Sequence, residues 1–153
     1  MRCPNCNYRS NPDLDSFDIE TANPDRNEEY NFSAHISSFP RLRNQIIDGN
    51  EKVTDRTSID IIFNYPLSRS VKLSFTNPSG FTRNDFYRCI YDGYTFIYSE
   101  EEADAGDPGH IPGMLNRAPS SGRYGIWGHD MGDLVIEGVE HVGDGVYSLS
   151  IGS

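Results

Sequence analysis

The chain has 153 residues, 36% of them hydrophobic and 12% aromatic, and 23 acidic against 13 basic residues leave a net charge of −10. That length fits one domain, while the charge opposes broad binding to nucleic acid or anionic lipid, both of which need a positive surface. No stretch approaches the ~18 apolar residues of a membrane span, and the composition excludes collagen-like chains.

The first motif in the chain is Cys3-Pro4-Asn5-Cys6. Two thiolates at this spacing form the knuckle that holds half of a tetrahedral zinc site. No second CxxC or HxxxH follows; Cys89 falls on an inferred core face as a small apolar group, so the remaining ligands would be one or two of His35, His110, His129 and His141, or the same knuckle from a second chain. The alternatives are two unligated cysteines or a redox pair, although a redox CxxC belongs at the end of a strand before a helix. Three cysteines and the lack of an apolar leader point to a reducing, intracellular setting rather than secretion. Residues 7–30 are rich in Asn, Asp, Pro, Glu and Ser, with Leu14, Phe17 and Ile19 as apolar anchors. Such a segment buries too little to offset its ordering entropy. Residues 1–30 therefore read as a polar arm, extended until a partner orders it, ahead of a single domain over residues 31–153.

Within that domain, residues 31–39 suit a short strand and residues 41–47 a helical turn before Asp48-Gly49-Asn50. The compact part is expected from Thr57. Ile59, Ile61 and Phe63 alternate at period two, as do Val71, Leu73 and Phe75, and a hairpin through residues 65–69 is the simplest connection. Asn77-Pro78-Ser79-Gly80 then breaks the second strand in a turn. Thr82-Arg-Asn-Asp85 resembles a capping box. Beyond it Phe86, Cys89, Ile90, Gly93, Phe96 and Ile97 recur at helical spacing, so residues 82–100 are predicted as a helix with that face inward. Gly93 on the inner face costs about 1 kcal/mol of helix propensity, which close approach to a sheet would explain.

Tyr87, Tyr91, Tyr94 and Tyr98 form a second stripe beside that face. It reads as an amphipathic shoulder, ring inward and hydroxyl in water, or as a contact surface for another chain. Glu100, Glu101 and Glu102, followed by Asp104 and Asp107, would oppose the negative pole of the helix dipole. The simpler expectation is that the helix stops near Ser99 and the charge run is solvated; the alternative is that the carboxylates meet a cation or an arginine. Residues 104–122 are rich in Gly and Pro, and a loop of this length is often functional. Ile111, Met114 and Leu115 are its candidate pins to the surface. Two further strands, residues 134–139 and 146–151, flank a Gly143-Asp144-Gly145 hairpin turn.

Gly128-His129-Asp130, with Asp133 three residues on, is the weak catalytic candidate: an imidazole beside carboxylates can serve as a general base or bind a metal. Adjacent residues on an extended chain point apart, so the same run also reads as a turn whose aspartates accept backbone hydrogen bonds. Trp127, the only tryptophan, reads as a core plug or as an exposed partner-binding anchor. No G-x-S-x-G elbow, Walker loop, Gly-x-Gly-x-x-Gly or H-E-x-x-H motif occurs.

Residues 95–102, Thr-Phe-Ile-Tyr-Ser-Glu-Glu-Glu, and 124–137, Tyr-Gly-Ile-Trp-Gly-His-Asp-Met-Gly-Asp-Leu-Val-Ile-Glu, resemble a family of uncharacterised proteins of large DNA viruses that infect amoebae, the Marseillevirus type. The resemblance covers residues 82–153. It implies a viral product in the host cell cytoplasm or nucleus, or in the virion, and no reaction.

The expected fold class is α+β, an antiparallel sheet of two hairpins with one central amphipathic helix, a long Gly/Pro loop and an extended arm. The expected function is that of a non-enzymatic interaction or structural protein, binding a protein partner or itself as a homodimer or part of a larger assembly through Tyr87, Tyr91, Tyr94, Tyr98 and Trp127. The alternatives are a small metal-dependent hydrolase using His129, Asp130 and Asp133, with His110 and Glu100–Glu102 in support, and a zinc-knuckle adaptor built on Cys3 and Cys6. Zinc is the one cofactor suggested.

Overall fold

The computed structural model describes residues 13–22, 31–114 and 116–153. Cys3 and Cys6, on which the zinc expectation rests, lie outside the described residues. The fold is α+β. Its main sheet has five strands in the order β1-β8-β9-β5-β6: β1 Ser16–Phe17, β5 Ser58–Phe63, β6 Val71–Thr76, β8 Val135–Gly143 and β9 Val146–Gly152. Both predicted hairpins are present, with Ile61 opposite Leu73 in one and Val139 opposite Leu149 in the other. They join through a parallel β5–β9 pair, Ile61 opposite Tyr147, so the sheet is mixed rather than antiparallel throughout. Two short ladders complete the strands: β2 Glu20–Thr21 with β3 Phe32–Ser33, and β4 Lys52–Thr54 with β7 Phe81–Thr82.

Residues 13–22, expected within an extended arm, are instead built into the fold. Ser16 pairs with Glu140 and Phe17 with Val139, and Phe17 and Ile19 are buried. A few apolar anchors suffice here because the sheet edge supplies the backbone partners that the segment alone lacks. The strand expected over residues 31–39 shrinks to β3, followed by a 3₁₀ turn, Ile36–Ser38, and a single-turn helix α1, Phe39–Leu42.

The long helix α2, Arg83–Ala105, starts where the capping box predicts. The Asp85 N–H donates to Thr82 Oγ1 at 3.1 Å and the Thr82 N–H to Asp85 Oδ2 at 2.9 Å. It runs five residues beyond the expected end and stops at Gly106, whose φ of 79° suits glycine. Its inner face carries Phe86, Cys89, Ile90, Gly93 and Ile97, while Phe96 faces solvent. A Cβ on Gly93 would collide with the ring of Phe63, so helix and β5 meet at a distance only glycine permits. Burial, with Asp92 and Asp85 adding to it, pushes the Cys89 thiol up to about 12, which leaves it a poor thiolate and a poor zinc ligand.

The tyrosine stripe is not a surface. Tyr87 and Tyr94 are fully buried and Tyr98 nearly so; Tyr91 is half-buried. The hydroxyls donate to main-chain carbonyls rather than to water: Tyr87 to His35 at 2.6 Å, Tyr94 to Tyr65 at 2.6 Å, and Tyr98 to His129 at 2.8 Å. Burial raises all three pKa values well above the usual tyrosine range. The expected partner-binding role of Tyr87, Tyr94 and Tyr98 gives way to an internal one. Each ring packs on the core while its polar tip holds a different loop against the helix. Tyr94→Phe keeps the ring and removes one such bond, so it should lower unfolding free energy by about 1–2 kcal/mol in urea titrations, with an unchanged circular dichroism spectrum.

Candidate functional site

The long segment between α2 and β8 is held by charge. Ile97 lies four residues before Glu101 on the buried face of α2, and the Glu101 side chain is withdrawn from solvent completely. Its carboxylate accepts from the backbone N–H groups of Tyr124 at 2.8 Å, Gly122 at 2.9 Å, Gly125 at 3.2 Å and Ile126 at 3.4 Å, and from the Ser120 hydroxyl at 2.5 Å. A Cβ on Gly122 would sit 2.6 Å from Glu101 Oε1, so glycine is required for the backbone to close this tightly. From the other side, Arg69 donates to the carbonyls of Arg123 at 2.8 Å and Gly122 at 2.6 Å. The turn at residues 120–126 thus has four of its N–H donors and the Ser120 hydroxyl satisfied by a carboxylate and two of its carbonyls by a guanidinium. Burial alone would raise the Glu101 pKa, but the hydrogen bonds from Ser120, Tyr124, Gly122 and Ile126 outweigh it and hold the carboxyl below its usual range.

The charge run expected to be solvated is therefore a set of tethers. Glu100 pairs with Arg123 at 2.7 Å, Asp104 lies 3.9 Å from the same guanidinium, and Glu102 lies 4.0 Å from Arg117. Arg117 is itself buried, with its guanidinium 5.1 Å from the Tyr98 ring centroid and Nε 3.7 Å from Asp130 Oδ1. Bridges from Arg117 to His110 and Gly128 fold the loop back on itself. Met114, a candidate pin, is exposed, and Leu115 is outside the described residues. The pinning is done by Glu101 and Arg117.

This packing brings several of the sequence candidates together. His110 Nε2 lies 3.0 Å from Asp130 Oδ2, and His129 Nδ1 lies 3.6 Å from Asp133 Oδ2. His129 and Asp130, adjacent in sequence, engage different partners. Asp133 also accepts the Asp130 N–H at 3.2 Å, which closes the 3₁₀ turn Met131–Asp133. Trp127 is not a core plug: it is 43% exposed, with its ring edge-on to Tyr65 at 5.4 Å, and Tyr65 in turn faces His129 at 6.0 Å. An open cleft of 350 Å³ beside it is lined by His35, Asn116, His129, Asp133 and Ser153.

Chemically, the arrangement offers two imidazole–carboxylate pairs, an aromatic rim and excess negative charge. Asp130 is shared between His110 and Arg117, which leaves it poorly placed as a free base. Among the described residues no three His, Cys, Asp or Glu side chains lie close enough to hold a metal ion, and no helix is long and apolar enough to cross a membrane. No protein-family model, curated protein or solved structure matches the chain.

Glu101→Gln tests the cage. An amide offers one acceptor oxygen and places an NH₂ against N–H donors, so the variant should lose about 2–4 kcal/mol at neutral pH. Because the folded pKa is lowered, the carboxylate's contribution is complete above the unfolded value of about 4.3 and disappears as pH falls through the folded one. The gap between wild type and Glu101→Gln should therefore narrow below about pH 4 in thermal unfolding.

Proposed function

We propose that the chain is a non-enzymatic interaction protein whose Trp127 face receives a basic segment of a protein partner. The observation that carries this reading is the exposure of Trp127 on a loop whose backbone is tied down from both sides. Exposed large aromatic side chains on rigid supports are frequent interface anchors, because little freedom is lost when a partner covers them. The chemistry of the neighbours supplies the sign. Glu102, Asp130 and Asp133 are each about half exposed within the same region, and the whole chain carries −10. A Lys or Arg side chain can lie over the indole face while its neighbours meet the carboxylates, and the net charge steers a cationic partner inward. The face does not suit a nucleic-acid backbone, which would meet like charge.

The resemblance of residues 82–153 to proteins of amoeba-infecting large DNA viruses supports placing such a complex in an infected cell or a particle. Self-association through this face is disfavoured by the same acidic groups, so the partner on it is a different chain.

Trp127 is the single tryptophan, so its fluorescence reports directly on the proposed contact. Lys/Arg-bearing peptides with one apolar residue should shift its emission saturably, while acidic peptides of the same length should not. Asp130→Asn with Asp133→Asn should weaken binding by about tenfold, which is about 1.4 kcal/mol. Added salt should weaken it as well. Equal response to acidic and basic peptides would contradict the reading.

A further inference from the structure

The five-stranded sheet ends in β6, and among the described residues no strand pairs with its outer edge. This edge is six residues long, and Val71, Leu73 and Phe75 stand half-buried on the core side of it. A groove of 350 Å³ runs between Phe75 and the Arg88, Cys89 and Asp92 positions of α2. An unpaired strand edge presents N–H and C=O groups that template pairing with another strand.

The hydrogen-bond pattern fixes which groups the edge presents. The Asn77 N–H donates to Thr57 at 2.9 Å, and the Asp60 N–H points the other way, to Gly145 at 2.9 Å. Bonded and non-bonded pairs alternate along an antiparallel ladder, so the Ile59–Phe75, Ile61–Leu73 and Phe63–Val71 pairs spend their backbone groups inside the sheet. The N–H and C=O groups of Lys72, Ser74 and Thr76 are the ones directed outward.

We infer that β6 is a self-pairing edge, joining a second copy of this chain antiparallel about Leu73. In that register Lys72 of each copy forms a hydrogen-bonded pair with Ser74 of the other. The two Leu73 residues meet as a close non-hydrogen-bonded pair, and each Val71 faces a Phe75. All three apolar pairs fall on the core face, which the same two-fold axis makes continuous across ten strands. The outer face is matched in charge. Ser74 hydrogen-bonds Asp60 at 2.5 Å and Lys72 Nζ lies 4.0 Å from Asp60 Oδ2 of its own chain, so pairing sets each Lys72 ammonium between its own Asp60 and the Ser74–Asp60 pair of the second copy. Shifting the axis to Lys72 sets two ammonium groups opposite one another, which is unfavourable. Shifting it to Ser74 sets Val71 against Asn77. The sequence of β6 thus selects one register. Repulsion between two chains of −10 each opposes pairing, and the part carried by charges farther apart than the Debye length is screened at physiological salt.

This edge is separate from the Trp127 face, and its test is independent. Sedimentation equilibrium of the full chain at high micromolar concentration should give a dimer. Leu73→Lys, which brings two ammonium groups together at the axis, should raise the dimer dissociation constant by at least about tenfold. Lys72→Glu, at an exposed position that cannot disturb the core, should do the same, and adding Asp60→Lys to it should restore association. Trp127→Ala should leave the dimer intact. A wild-type monomer at that concentration would overturn the inference. So would a dimer indifferent to both β6 variants, or one lost in Trp127→Ala.

Discussion

A carboxylate with no access to water must be surrounded by donors or it does not stay charged, and Glu101 meets that requirement mainly with backbone. Four consecutive-region N–H groups and one hydroxyl converge on it. The consequence runs in both directions. The helix continues to Ala105 because the cage compensates for an acidic side chain in its last turns, where the dipole disfavours one. The turn at residues 120–126 takes one shape because four of its N–H groups have a single carboxylate to meet. Everything that follows it, from Trp127 through Asp133, starts from a fixed point.

The three buried phenols extend the same principle along α2. Each brings a hydroxyl to a carbonyl in a different connection: the segment before α1, the β5–β6 connection, and the stretch after Trp127. A helix that packs by hydrophobic contact alone can slide or rotate by small amounts at little cost. One that also satisfies three main-chain acceptors and carries Gly93 against Phe63 has a defined position. The candidate site inherits that definition, which is what lets a surface aromatic group act as a preorganised contact.

Much of this was legible beforehand, for identifiable reasons. The strands at residues 58–63, 71–76 and 146–152 alternate cleanly, and the Thr82/Asp85 box marks the helix start, because both signals depend only on near neighbours. The helix end is hard to see because Glu100, Glu101 and Glu102 look alike in sequence, whereas only Glu101 continues the Ile90–Tyr94–Ile97 face by four residues. That spacing was the available signal. Tyr87, Tyr94 and Tyr98 look like an edge because a phenol fits either side of a boundary, and only the positions of distant carbonyls decide. The pairing of Ser16 and Phe17 depends on a sheet edge more than 120 residues away in sequence and leaves no local trace. The parallel β5–β9 pairing is invisible for the same reason. Trp127, flanked by glycines, carried no information on which way its ring would turn.

The most direct measurement of the central claim is amide hydrogen exchange, resolved by residue, across the segment after the long loop. If Glu101 organises that segment, the Gly122, Tyr124, Gly125 and Ile126 amides should exchange nearly as slowly as those of β5 and β9, although they belong to no strand. Exchange of these four amides at the rate of an unstructured chain, with β5 and β9 protected, would contradict it.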